Sequence, residues 1–297
     1  MRPETILTIY EIRAAAAKDL DFLGGPPEPE ERFGSDFRGL HFEADFAFLF
    51  FVNDYDLGPF LSQYPFVEVK QIHRLRYDQW QDGATMEPMS VGPIKIWPWF
   101  EASQTPNLSL GLNNQPDLSS DCPPIYIDPG LAFGFGGHPT TKACLGFLAR
   151  LYRPGALGVK SPLTALDLGS GTGILALAAA RLGANSVLGV DHSHLAVRSA
   201  QRNAELNALN SQVKFERGLA QDYAKAPGEL VLANMPLFVL KDLLDLRAFD
   251  KRSHLIFSGL LASEGDTFLD LLTQSHKALK LVDSQRDDRW VSGLVEF

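Results

Sequence analysis

The stretch Asp167-Leu168-Gly169-Ser170-Gly171-Thr172-Gly173 constrains this chain more than any other. It lies between an apolar segment, 163–168, that reads as a strand and an Ala/Leu-rich segment, 174–182, that reads as a helix. Glycines placed there let the backbone approach a ligand closely, and the start of the helix adds amide donors. Asp191 follows Gly169 by 22 residues and ends the next strand, 186–190. A carboxylate at that distance can accept both hydroxyls of a ribose. Each feature alone is compatible with a tight structural turn and a surface Asp. Strand, loop, helix and acid in this order predict a nucleotide site on a parallel sheet. Counting from Gly169, the sixth position of a dinucleotide fingerprint is Ile174. Its bulk opposes the close helix–strand packing that a third glycine or an alanine would permit, so the loop disfavours a dinucleotide.

The sequence around this loop alternates. A short strand at 125–127 precedes the glycine-rich Gly134-Phe135-Gly136-Gly137, and Pro139 suits the first turn of a helix over about 140–152. After the nucleotide loop come a helix at 195–209, strands at 213–216 and 230–233, a helix at 237–249, a strand at 254–257 and a helix at 267–279. Two final strands fall near 281–285 and 290–297. Strands alternating with helices of this length predict an α/β, mostly parallel sheet. Two closing strands with almost nothing between them form a hairpin, so one strand runs antiparallel.

Before residue 100 the texture differs. Segments 6–12, 41–52 and 66–75 are rich in β-branched and aromatic residues and read as strands, and 24–29 (GGPPEP) reads as a loop. The run Phe46 to Phe51 reads as a buried strand. This region forms a small N-terminal α+β domain, 1–100, closed by Trp97-Pro98-Trp99. Residues 101–124, rich in Pro, Asn and Ser, read as a linker, and 125–297 as the second domain.

With 297 residues, 45% of them hydrophobic, the chain can bury a sizeable core. Its net charge of −9 disfavours direct nucleic-acid binding, which needs a basic face. Residues 1–100 hold 9 basic and 16 acidic residues, or −7, and the remainder 18 and 20, or −2. That imbalance suits either a basic partner or a solvated acidic surface. Cys122 and Cys144 are too few for a disulfide framework or a zinc cluster, and Cys144 reads as core. The longest apolar run has seven residues, well short of a membrane span, and the start lacks a signal-peptide pattern. The expectation is a cytoplasmic protein without a membrane partner.

The sequence DLGSGTG followed by Asp191 resembles the first two motifs of class I S-adenosylmethionine methyltransferases, whose core is a Rossmann-like sheet. A second likeness is more specific. Asp128-Pro129-Gly130-Leu131-Ala132-Phe133-Gly134-Phe135-Gly136-Gly137-His138-Pro139-Thr140-Thr141 resembles the signature loop of the PrmA family, methyltransferases of a ribosomal stalk-base protein, which reads DPGLAFGTGTHPTT. Phe135 and Gly137 stand where the family has threonines. Trp97-Pro98-Trp99, Asn203-Ala204-Glu205-Leu206-Asn207, Ser258-Gly259-Leu260-Leu261 and Arg289-Trp290 are similar to further family segments.

The resemblance implies a substrate-docking N-terminal domain and a methyltransferase domain that modifies amines of a basic, large-subunit ribosomal protein. Thr141, Gly169, Gly171, Gly173 and Asp191 would contact S-adenosylmethionine. Asn234, in Asn234-Met235-Pro236-Leu237, follows the strand 230–233 and so falls at the mouth of the ligand crevice. It would lie between cofactor and target nitrogen as the catalytic residue, its amide oxygen accepting a hydrogen bond from the amine. Its other reading is a helix N-cap. His138 pairs with no Ser or Cys in a triad and reads as loop packing, and the seven histidines show no metal spacing. The alternative functions are methylation of another protein or a small molecule, and non-catalytic S-adenosylmethionine binding.

Overall fold

A computed structural model describes residues 5–14, 19, 20, 23, 29–43, 46–76, 87–99, 122–128, 136–152, 163–286 and 289–297. The chain divides into two compact units, Met1–Met86 and Glu87–Phe297.

In the first unit, β1 (Ile6–Arg13), β2 (Phe37–Glu43), β3 (Phe46–Phe51) and β4 (Glu68–Arg76) form an antiparallel sheet in the order β2-β3-β1-β4. The segment 41–52, expected as one strand, is divided between the end of β2 and β3, with Glu43 opposite Phe46. Aromatic and apolar residues populate both strands, so composition carries no mark of the division. Two short helices, α1 (Pro29–Phe33) and α2 (Gly58–Gln63), were not legible in the sequence. Helices of one or two turns lack a full apolar period to read. Phe33 packs within 6.0 Å, ring centre to ring centre, of Phe37, Phe51, Tyr55 and Phe60. That aromatic cluster is the core of the unit.

The second unit begins earlier than expected. β5 (Met89–Val91) and β6 (Ile94–Pro98) form a hairpin, and β6 pairs in parallel with β7 (Ile125–Ile127), Trp97 lying opposite Tyr126. Trp97-Pro98 therefore opens this unit rather than closing the first, and the boundary falls at 86/87 instead of 100. The pairing partner lies some 30 residues downstream, beyond the reach of local pattern. Of the expected linker, 101–121 lies outside the described residues.

The larger sheet has the order β10-β9-β8-β11-β12-β14-β13. Its strands are β8 (Thr164–Leu168), β9 (Ser186–Asp191), β10 (Val213–Arg217), β11 (Leu230–Asn234), β12 (His254–Leu261), β13 (Lys280–Arg286) and β14 (Trp290–Glu296). The first five are mutually parallel, and β14 runs antiparallel to β12 and β13, as the hairpin reading requires. Alternate residues feed opposite faces. Ala165, Leu232 and Ile256 pack with α3 (Pro139–Leu151), α4 (Ile174–Arg181) and α5 (His194–Leu206). Leu166, Val231 and Phe257 pack with α6 (Leu237–Asp245) and α7 (Gly265–Ser275). Each fully buried aliphatic or aromatic side chain contributes about 1.5–3 kcal/mol. The strand order reverses between β8 and β11, and in such sheets ligands bind beyond the carboxyl ends at that reversal.

Candidate active site

The glycine loop leaves β8 at that reversal. Gly169, Gly171 and Gly173 all have positive φ, at 73°, 53° and 81°. A Cβ on Gly169 would stand 2.9 Å from the movable Met235 Cε and one on Gly173 2.6 Å from Phe215 Cζ, and the positive φ at both disfavours a side chain. Val190 carbonyl accepts the Gly169 and Ser170 amides at 2.8 and 2.9 Å, stapling the loop to the end of β9. Asp191 completes the staple, with Oδ2 accepting the Gly171 amide and Oδ1 the Ser193 amide, each at 2.9 Å.

These bonds give a direct test of whether a ribose can be held. A carboxylate offers about four lone-pair sites. Two are used by backbone amides, and the remaining capacity matches the two hydroxyls of a ribose. The Asp191 side chain is 10% exposed, enough to be reached and shielded enough for its bonds to count. The residues present fit the nucleoside part of S-adenosylmethionine.

Asp167 sits behind the loop at 1% exposure and accepts the Ala176 amide at 3.1 Å. Burial pushes its carboxyl up to about 7, the Ala176 bond opposes this, and the nearby Asp191 charge adds to it. The folded state thus holds a proton that the unfolded chain releases near pH 4, and stability falls as pH rises from about 4 to about 7. Above about 7 this contribution is level. Asp167→Asn keeps an acceptor oxygen without the proton. The unfolding free energy from urea titrations should fall further between pH 5 and pH 8 in the wild type than in Asp167→Asn, by the order of a few kcal/mol. Equal falls would refute the assignment.

Asn234 ends β11 and is half-buried. Its neighbour Met235 is pinned by Gly169 on one side and by Gly259 on the other, where a Cβ would stand 2.7 Å from the Met235 nitrogen. This backbone packing explains the glycine of Ser258-Gly259-Leu260-Leu261, which also has φ of 81°. Asn234 does not cap α6, whose N-cap is Pro236. Its Nδ2 donates instead to Thr140 Oγ1 at 3.2 Å, across 94 residues of sequence. Thr140 begins α3 beside His138, which caps the helix, and His138 packs edge-on against Trp290 with ring centres 5.1 Å apart. Of the expected site residues, Gly169, Gly171, Gly173 and Asp191 form one hydrogen-bonded loop, and Asn234 reaches it through Met235. Thr141 is 2% exposed in the first turn of α3, next to the threonine that bonds Asn234. Phe135 and the rest of 129–135 lie outside the described residues, whereas Gly136, Gly137 and His138 lead directly into α3.

Two residues whose role the sequence reading left unassigned organise the entrance to this region. Asn203 is fully buried in α5; its Oδ1 accepts the Asp128 amide at 2.9 Å and its Nδ2 donates to the carbonyls of Asp128 and Thr172, both at 3.0 Å. Asn207, one turn later, accepts the Tyr126 amide at 2.8 Å and donates to the Tyr126 carbonyl at 2.7 Å. The two amides imitate a neighbouring strand for β7, and Asn203 also ties the start of the signature loop to the glycine loop. The sequence carried a signal for this. Asparagine is poor inside helices, and two of them at i and i+4 share one face.

The family model described as "Ribosomal protein L11 methyltransferase (PrmA)" matches residues 70–296. A ribosomal protein L11 methyltransferase of Chromobacterium violaceum is 31% identical over 90% of this chain and 82% of its own length. One from Leptospira interrogans is 38% identical over 63% of this chain and 58% of its own length. One from Caldanaerobacter subterraneus is 33% identical over 58% of this chain and 53% of its own, so the chain spans little more than half of some curated relatives. A solved structure of a ribosomal protein L11 methylase from Lactobacillus delbrueckii covers 71% of this chain and 98% of its own, at 27% identity and a TM-score of 0.55. On the match across 70–296, and with the class I methyltransferase sheet around it, the chain belongs to the PrmA family.

Proposed function

We propose that this protein transfers methyl groups from S-adenosylmethionine to amines, lysine or the N-terminal amino group, of ribosomal protein L11. What supports the reading is the place of Asn234 at the end of β11, beside the strand-order reversal from which the glycine loop leaves β8, in a chain of this family. When bound, S-adenosylmethionine supplies a methyl group on a positively charged sulfur, which an amine lone pair takes while the carbon–sulfur electron pair stays with sulfur.

Asp191 holds the ribose hydroxyls, and the amides around Gly169, Gly171 and Gly173 line the nucleoside. Thr141 supports the same site from α3. Asn234 Oδ1 accepts an N–H from the incoming amine and aims its lone pair away from that bond. A lysine must arrive neutral, since its usual pKa is about 10.4, and a shielded crevice favours the neutral form. Positioning and exclusion of water are the residues' main contribution. The first unit docks the protein substrate. The charge of −7 over residues 1–100 suits a basic ribosomal protein and disfavours direct contact with nucleic acid. No helix among the described residues is long and apolar enough to cross a membrane.

The test uses the full chain, purified L11 and methyl-labelled S-adenosylmethionine. Label is expected on L11 amines, with Asn234→Ala reducing kcat by about ten- to a hundredfold. Label on small molecules alone, or donor binding without transfer to any acceptor, would overturn the proposal.

A further inference from the structure

Asn234 can serve an amine only if its oxygen, not its NH2, faces the crevice. The structure contains a device that decides this. The Thr140 amide points at His138 Nδ1 at 3.4 Å, closing the N-cap of α3, so Nδ1 presents its lone pair. Thr140 Oγ1 lies 2.7 Å from the same Nδ1. With Nδ1 an acceptor, the Thr140 hydroxyl donates its proton to it, and the hydroxyl oxygen is left as an acceptor. It takes the Nδ2–H of Asn234 at 3.2 Å. The opposite orientation would need Nδ1 to donate and would forfeit the Thr140 amide bond that caps the helix. Trp290, edge-on to His138, holds the ring in place. Asn234 makes no other side-chain hydrogen bond among the described residues, so Oδ1 remains available.

We infer that Thr140 is a positioning residue that sets the Asn234 amide with its oxygen toward the substrate, its own polarity being set by the His138 cap. The inference rests on the proposed amine transfer for its kinetic consequence, but not for its geometry. Three residues, His138, Thr140 and Asn234, thus form one line of donor–acceptor direction ending at the reacting nitrogen, with Trp290 packed against the His138 ring.

Two measurements test it. In the wild-type protein with 15N-labelled asparagine, one Asn234 Hδ2 proton should show the low temperature coefficient and slow exchange of a hydrogen-bonded amide, assigned by its loss in Asn234→Ser. Two solvent-like Hδ2 protons would overturn the inference, whatever the activity. In kinetics, Thr140→Val should lower kcat by about ten- to a hundredfold, with the KM for S-adenosylmethionine within about twofold, as expected for misplacement near the reacting atoms. Thr140→Ser should recover most of the lost kcat. An unchanged kcat in Thr140→Val, or equal losses in both variants, would overturn it. If Thr140→Val does not fold, Thr140→Cys, a weak acceptor, takes its place with the same expectation. A wild-type protein that transfers no methyl to L11 would defeat the proposed function, while the Asn234 resonances would still decide the role of Thr140.

Discussion

Replacing Asp191 with alanine is expected to weaken S-adenosylmethionine binding by at least about a hundredfold. In the proposed site the carboxylate is the hinge, because it accepts the Gly171 and Ser193 amides and its remaining lone pairs would take two ribose hydroxyls. Hydrogen bonds to a charged partner contribute about 1.5–3 kcal/mol each, so losing two corresponds to a hundredfold or more. The loss has a second source. Without the carboxylate, Gly171 and Ser193 must find new partners, and the positive-φ loop relaxes from the shape in which its amides converge. Asp191→Asn should be milder, since one acceptor oxygen remains. Titration calorimetry on the full chain measures both, and a thermal melt of the ligand-free variant separates lost affinity from lost structure. Wild-type affinity in folded Asp191→Ala would mean that the ribose is held elsewhere.

The second large effect is on stability. Asn203→Leu conserves volume but removes one acceptor and two donor bonds at a fully buried position. The Asp128 carbonyl keeps Ser199 Oγ as a partner at 3.1 Å, whereas the bonds that Asn203 makes to the Asp128 amide and the Thr172 carbonyl are lost. A hydrogen bond contributes about 0.5–1.5 kcal/mol net, so losing the three costs about 1.5–4.5 kcal/mol. For a unit of this size each kcal/mol lowers Tm by about 2–4 °C, giving a fall on the order of 10 °C. Asn203→Asp keeps the acceptor but sets a buried carboxyl oxygen against the Asp128 and Thr172 carbonyls, and should fall at least as far as Asn203→Leu. Differential scanning calorimetry decides, and a Tm within about 2 °C of wild type would show that the two carbonyl and amide groups find other partners. Because Asn203 bridges Asp128 and Thr172, the same variant should also bind S-adenosylmethionine more weakly.

The site and the fold were legible to different depths. The strand–glycine–helix segment at 163–182 and the acid at 191 were readable because each depends on neighbours within a turn or a strand length: period, glycine freedom and the reach of one βαβ unit. The closing hairpin at 280–296 was readable for the same reason, and its antiparallel strand follows from its short connection. The first unit was harder. Two strands of similar composition at 37–43 and 46–51 merged into one reading, and α1 and α2 are too short to show a period.

What sequence alone determined was the chemistry on offer: a glycine loop between strand and helix, a carboxylate at the end of the next strand and an asparagine at the end of a central strand. Tertiary structure alone decided how these are used. Met235 enters between Gly169 and Gly259, Asn203 and Asn207 stand in for a missing strand beside β7, and the Asn234 amide bonds to Thr140, 94 residues away. The physical reason is that a local pattern specifies which groups a segment presents, whereas hydrogen-bond direction and steric exclusion are set by partners that meet only when the sheet has assembled.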